Sequence, residues 1–252
     1  MRIERKVGAS IAVLGSLLLA VSGAVPALAG NGPTAGFSHV TGTRFAGTAN
    51  MTNTGFAGWV FVVKAAKSVT AEFKVPTLKC TSTTSGIAPS SALLTGSTTS
   101  PKASAAAVVL LCSSGKPVMI PAVLVNGNQM NSTHVVHTGD LMQATVTTSS
   151  TATTATIADL TTGHTFSFKK SGTGGTSFEE VIADTAVGAT QLPVVNFGKI
   201  SYSKGAVGGK AIGTVSPRTG VNMETSSHVL QISTGAISGT AKNAFTTTFK
   251  HS

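Results

Sequence analysis

The sequence predicts an all-β chain folded as an antiparallel two-sheet sandwich, and three observations carry that prediction. β-Branched, aromatic and alternating apolar residues fall in runs of roughly five to eight residues, the length of ordinary strands. Turn-forming stretches separate the runs, among them Asn126-Gly127-Asn128 and Gly172-Thr173-Gly174-Gly175. No segment repeats its apolar residues with a helical period over a helical length.

The 252-residue chain opens with a secretory pattern. Arg2, Arg5 and Lys6 form a positive start, Ile11 to Val21 an apolar stretch, and Ala27-Leu28-Ala29 a small-x-small cleavage site, so residues 1–29 are expected to be a signal peptide. The apolar stretch is too short and interrupted to span a bilayer, and no later run is long enough either. A secreted, extracellular product of about 220 residues is expected, enough for one domain with a sizeable core. Residues 30–54, rich in Gly, Thr, Ala and Asn, read as a flexible or extended leader, and 55–252 as the domain.

Within the domain each strand has its own signal. Trp59 to Val63 is β-branched and aromatic; Val69 to Val75 alternates, and Pro76 ends it. The Ser/Thr-rich segment from Thr81 to Ser104, with Pro89 and Pro101, is either a long loop or a weak strand around Ala92-Leu93-Leu94. Further strands are expected at Ala105 to Cys112, Val118 to Val125, Leu141 to Thr148, Thr151 to Ala158 and His164 to Phe168. The last third continues with Phe178 to Asp184, Val194 to Ser203, Ala211 to Val215, His228 to Ile232 and Ala244 to Phe249.

Charge and cysteine usage narrow the function. The net charge is +10, but apart from adjacent Lys169 and Lys170 the lysines from Lys64 to Lys250 are scattered singly. Nothing clusters to grip phosphates in register, which argues against nucleic acid. The basic excess fits acidic surroundings or attraction to an anionic cell-wall polymer. Cys80 and Cys112, an isolated pair in an exported chain, read as a disulfide; closing a loop of about 30 residues stabilises by about 3 kcal/mol. His134 and His137 are the only closely spaced histidines, and on a strand such a pair points to opposite faces. No metal and no cofactor are expected, and the chain is expected to be a monomer. Sequons occur at Asn50-Met51-Thr52 and Asn131-Ser132-Thr133, meaningful only in a host that glycosylates.

Chemistry, if present, has few carboxylates to use. The chain holds eight Asp and Glu, and three fall in Glu179-Glu180-Val181-Ile182-Ala183-Asp184. On a strand Glu180, Ile182 and Asp184 share one face and Glu179, Val181 and Ala183 the other. A carboxylate on a half-buried, concave sheet face can serve as a general acid or base, because burial raises its pKa toward working pH. The plainer alternative is a pair of solvated strand-end charges.

Several ordered landmarks accompany this strand: Gly55-Phe56-Ala57-Gly58-Trp59, then Phe73-Lys74-Val75-Pro76-Thr77 with Cys80 just beyond, then Gly139-Asp140, and finally Leu192-Pro193-Val194-Val195-Asn196-Phe197-Gly198 after the acidic strand. In order and spacing they resemble the glutamic peptidases, or eqolisins, which are secreted acid endopeptidases. The resemblance implies a concanavalin-like jelly roll and places Glu180 at the position of the water-activating glutamate. In that family a glutamine carboxamide stands a few residues before the second cysteine and stabilises the oxyanion. Here the segment reads Ser104-Ala105-Ala106-Ala107-Val108-Val109-Leu110-Leu111-Cys112, with no side-chain amide. The family's Trp-Val-Gly-x-Asp-Gly segment is replaced by Ser91-Ala92-Leu93-Leu94-Thr95-Gly96, and its aromatic-rich strand by Pro121 to Val125.

Removing an oxyanion donor alone costs about 10²–10³ in rate, so lost or impaired endopeptidase activity is expected, with a binding or structural role outside the cell. Two alternatives stand beside it. One is an active acid endopeptidase in which Glu180 works with Gln143 or Asp184, although Asp184 is about 13 Å along the strand, too far to share a proton. The other is a carbohydrate or cell-wall binding module, against which one Trp and one Tyr supply little to stack on sugar rings. A polypeptide or a cell-wall polymer is the partner these readings imply.

Overall fold

The fold is seen in a computed structural model, and the structure describes residues 51–53, 56–64, 66–82, 86–95, 104–126, 128–171, 177–185 and 193–251. The expected signal segment, most of the leader, Asn50, the 172–176 turn and Gln191 lie outside the described residues. Along the strands that hold Ala92 and Glu180 only the backbone is described.

Sixteen strands are present among the described residues: β1 (Met51–Asn53), β2 (Phe56–Lys64), β3 (Ser68–Lys74), β4 (Gly86–Thr95), β5 (Ser104–Ser113), β6 (Lys116–Val125), β7 (Asn128–Asn131) and β8 (Leu141–Thr148), then β9 (Ala152–Asp159), β10 (His164–Ser171), β11 (Ser177–Thr185), β12 (Lys199–Val207), β13 (Lys210–Ala211), β14 (Arg218–Glu224), β15 (Leu230–Thr234) and β16 (Phe245–Phe249). A 3-10 turn at Ile212–Thr214 is the helical element among the described residues. None of the described helices is long and apolar enough to cross a membrane.

Hydrogen bonding runs in one path, β10-β9-β8-β3-β12-β16-β15-β14-β2-β11-β4-β5-β6-β7. The path doubles over into two layers. β6 packs on β9 and β10, β5 on β8 and β9, and β4 on β3 and β8. The pairs are antiparallel except β1 with β14, which is parallel. The all-β sandwich expected from turn spacing is therefore the observed fold.

Alternation decides which side chains meet between the layers. Val69, Ala71 and Phe73 of β3, Met142, Ala144 and Val146 of β8, and Ala155 and Ile157 of β9 are all buried in the main core. Tyr202 lies between Phe73 and Phe245, with ring centroids 5.8 Å and 4.5 Å away. Trp59, the only tryptophan, packs against this core and donates its indole N–H to the Gly235 carbonyl at 3.1 Å. β5 is buried on both faces. Ala106, Val108 and Leu110 join the main core, while Val109 and Leu111 form a second apolar cluster with Ala122. That accounts for its nearly unbroken apolar sequence.

The opposite face of the β3-β8-β9-β10 layer is hydroxylic. Thr70 bonds Thr145 at 2.8 Å and Thr156 bonds Ser167 at 2.9 Å, each pair bridging two neighbouring strands. Cross-strand hydroxyl pairs of this kind stabilise a sheet modestly, by about 0.2–1 kcal/mol each.

Five elements differ from the sequence reading. Ala211 to Val215, expected as a strand, holds only the end of the two-residue β13 and the 3-10 turn Ile212–Thr214. The Thr81 to Ser104 segment carries the ten-residue strand β4 rather than a three-residue one. β7 and β14 have no clear strand signal: Asn126-Gly127-Asn128 reads as a turn, and Gly220 and Asn222 interrupt the β-branched signal of β14. Val194 to Gly198 is irregular and β12 begins only at Lys199, since Gly198 has φ +65° and breaks the extended run. Cys80 and Cys112 are joined, with Cα atoms 5.6 Å apart.

Candidate functional site

β11 lies between β2 and β4, and its register fixes where the acidic run falls. Glu180 is opposite Phe61 on one side and Leu94 on the other, and Leu94 is in turn opposite Ser104 of β5. Asp184 is opposite Ala57 and Ser90, so the same row direction separates the two carboxylates by four residues of one strand. Side chains of β11 are outside the described residues, so Glu180 is placed here by register alone.

The strand two steps from Glu180 is the one expected to carry a carboxamide. Its described side chains offer a single polar group near that row. Ser104 is 3 % exposed, and its hydroxyl oxygen accepts the Asn126 backbone N–H at 3.1 Å, which ties it to the end of β6. The neighbouring Ala106, Ala107 and Val108 are buried and apolar, and so are Ala122 to Val125 of β6. The cleft-lining aromatics that the family resemblance leads one to look for are absent from β6, as its sequence states.

The described glutamines are committed elsewhere. Gln143 of β8 is the cross-strand neighbour of Glu72 and donates its amide to the Glu72 carboxylate, Nε2 to Oε1, at 3.0 Å. Gln129 donates to the Asn131 side chain at 2.8 Å. Gln231 is buried on β15 and has its own partners. Gln143 therefore sits on the hydroxylic face of the other layer, across the core from β11.

Glu72 is the charged residue that sequence reasoning passed over. Alternation assigns it to the solvent side of β3, yet it is only 3 % exposed. The cause is a bulge in β12 between Ser203 and Ala206, where Lys204 adopts φ +49° and brings its ammonium to 3.1 Å from Glu72 Oε1. A buried carboxylate with an ammonium and a carboxamide on the same oxygen is an anchored ion, not a free base.

A second polar group, also unforeseen, lies at the end of β9. Asp159 accepts backbone N–H groups of Thr161 at 2.9 Å and Thr162 at 3.2 Å, and His134 Nε2 meets its other oxygen at 2.9 Å. Burial pushes this carboxyl up, but the bonds from His134, Thr162 and Thr161 outweigh it and hold the group below the usual carboxylate range. His137 is exposed; its backbone N–H binds Asp140 Oδ2 at 2.7 Å. Among the described residues no three His, Cys, Asp or Glu side chains are grouped to hold a metal. The only sequence signal for the Asp159 group was the isolated Asp before the Leu160–Gly163 turn.

Comparison with known proteins agrees with the fold. A peptide-based transition-state analogue complex of scytalido-glutamic peptidase superposes with a TM-score of 0.61 at 14 % identity, covering 79 % of this chain and 99 % of that one. The eqolisin SCP-B, solved with the tripeptide Ala-Ile-His, gives 0.59 at 15 % identity, covering 79 % and 99 %. Aspergilloglutamic peptidase from Aspergillus niger gives 0.50 at 16 % identity, covering 66 % and 99 %. No protein of curated function matches the chain. The peptidase A4 family matches residues 54–246, from just before β2 into β16. With the sandwich, the disulfide and the acidic strand between β2 and β4 in place, the chain belongs to the peptidase A4 family.

Proposed function

We propose that this is an exported protein that keeps the sandwich of the peptidase A4 family without its acid endopeptidase chemistry, and that it serves in a binding or structural role outside the cell. One observation supports this reading above the others. β5, where an oxyanion-stabilising carboxamide is needed, offers Ser104 and a run of alanines and valines, with no side-chain amide. A glutamate that activates water without a donor for the developing oxyanion loses most of its advantage.

The solved relatives named above are peptidases, two of them crystallised with transition-state analogues or peptides. That activity requires two partners on one face, and the described glutamines do not supply the second. The basic chain suits an anionic polymer of the cell wall as a partner.

The test compares the exported protein with Glu180→Gln on an unfolded protein substrate between about pH 2 and 5, the range where a carboxylate base operates. Equal, negligible cleavage by both is expected. Acid proteolysis by the wild type that disappears in Glu180→Gln overturns the proposal and makes the chain an active peptidase.

A further inference from the structure

A second connected set of titratable groups lies where β9 ends and β10 begins. Asp159 ends β9 and is 1 % exposed. One carboxylate oxygen caps the Leu160–Gly163 turn through the Thr161 and Thr162 N–H groups. The other meets His134, which comes from the 132–140 connection between β7 and β8. The His134 ring stacks on His164, the first residue of β10, with centroids 4.2 Å apart and planes at 15°. His164 is also opposite Asp159 in the β9–β10 register, so His134 touches two residues that are neighbours across the ladder.

The surroundings add few charges. The connection brings His137 and Asp140, the latter holding the His137 N–H and itself buried. β5 packs on β9 with no charged residue, β7 has none, and β8 has none. β6 brings only Lys116, its first residue, and the lysines of β10, Lys169 and Lys170, pair with Thr154 and Thr153 at the opposite end of β9 from Asp159. The basic side chain that meets Asp159 is therefore the His134 imidazole.

We propose that Asp159, His134 and His164 form an acid-holding clasp, which keeps the 132–140 connection fastened to the β9–β10 turn in acidic surroundings and releases it when the Asp159 carboxylate is protonated. The 2.9 Å contact with His134 takes the carboxylate oxygen that the turn amides leave free, so one buried carboxylate holds both segments at once.

The sign follows from the direction of the Asp159 shift. Its folded value lies below the unfolded one, so the stabilisation is fully present above about pH 3.9 and is lost as pH falls through the folded value. The clasp remains shut where an ordinary aspartate is already half neutral. This property is independent of whether Glu180 retains any chemistry.

Amide hydrogen exchange of Thr161 and Thr162 in the full chain, corrected for intrinsic rates from pH 7 to pH 2, reads the clasp directly. In the wild type, protection is expected to persist to about pH 4 and fall only below it. In His134→Gln the fall is expected to move to higher pH, so that near pH 4 Thr161 and Thr162 exchange faster than in the wild type. Amides of β8 serve as the control and stay protected in both proteins. Identical pH profiles for wild type and His134→Gln overturn the proposal. Should the variant not fold, the carboxyl carbon of Asp159 followed by NMR in the wild type decides: a midpoint at or above the ordinary aspartate value overturns it, and one below supports it.

Discussion

Gln143 donates its amide hydrogen to Glu72 at 3.0 Å across the β3–β8 ladder, and Lys204 approaches the same carboxylate oxygen at 3.1 Å. The relationship matters beyond its own energy. Gln143 was the obvious glutamine to pair with Glu180 in a working peptidase, and it is spent on a carboxylate of the opposite layer. A side chain cannot serve two carboxylates separated by a packed core.

The Glu72 cluster predicts an asymmetric mutational pattern. Gln143→Leu leaves a buried carboxylate short of one donor and is expected to cost about 1–3 kcal/mol. Glu72→Leu with Gln143→Leu removes both partners together and is expected to be closer to wild type than Gln143→Leu alone. Urea denaturation monitored by the fluorescence of Trp59 measures both. A double variant less stable than the single one by more than 1 kcal/mol contradicts the assignment of Glu72 as an anchored ion.

Cys80 and Cys112 close a loop of 32 residues that includes β4 and most of β5. Replacing both by alanine is expected to lower stability by about 3–4 kcal/mol, since the unfolded chain regains that loop's freedom. Calorimetry of the oxidised protein and the double variant tests this, and a difference under about 1 kcal/mol contradicts it.

Gly213 predicts a steric effect. A Cβ placed there falls 2.5 Å from Lys242 Cβ and 2.7 Å from the Lys242 carbonyl oxygen, the same oxygen that accepts the Gly213 N–H. Because backbone has to move, Gly213→Ala is expected to destabilise by about 1–3 kcal/mol. An unchanged denaturation midpoint in the alanine variant refutes the close approach.

What the sequence made legible follows from what a strand pattern encodes. Alternation of Val69, Ala71 and Phe73 reports burial on one face, and Met142, Ala144 and Val146 repeat it, so β3 and β8 were readable to within a residue or two. β14 was not, because Gly220 and Asn222 contribute little propensity and the strand exists through its partners β2 and β15. The acidic strand was readable because three carboxylates stand out in an acid-poor chain. The Asp159 group and the Glu72 group were not, for a shared reason. Each joins residues from separate parts of the chain, His134 with Asp159 and His164, Glu72 with Gln143 and Lys204, and each is buried by a turn or bulge that local pattern does not announce.

The order of strands in the doubled-over path governs how such a chain reaches its native state. β3 is hydrogen-bonded to β12 and β2 to β14, partners about 130 and 160 residues further along, so neither early strand acquires both neighbours until most of the chain has been made. Closing loops of that length costs entropy before any contact repays it, and folding dominated by such distant pairings is slow. The nascent amino-terminal half can pair β4, β5 and β6 with one another, but β2 and β3 wait for later strands, and a fragment ending before Arg218 leaves β2 with β11 as its one ladder partner.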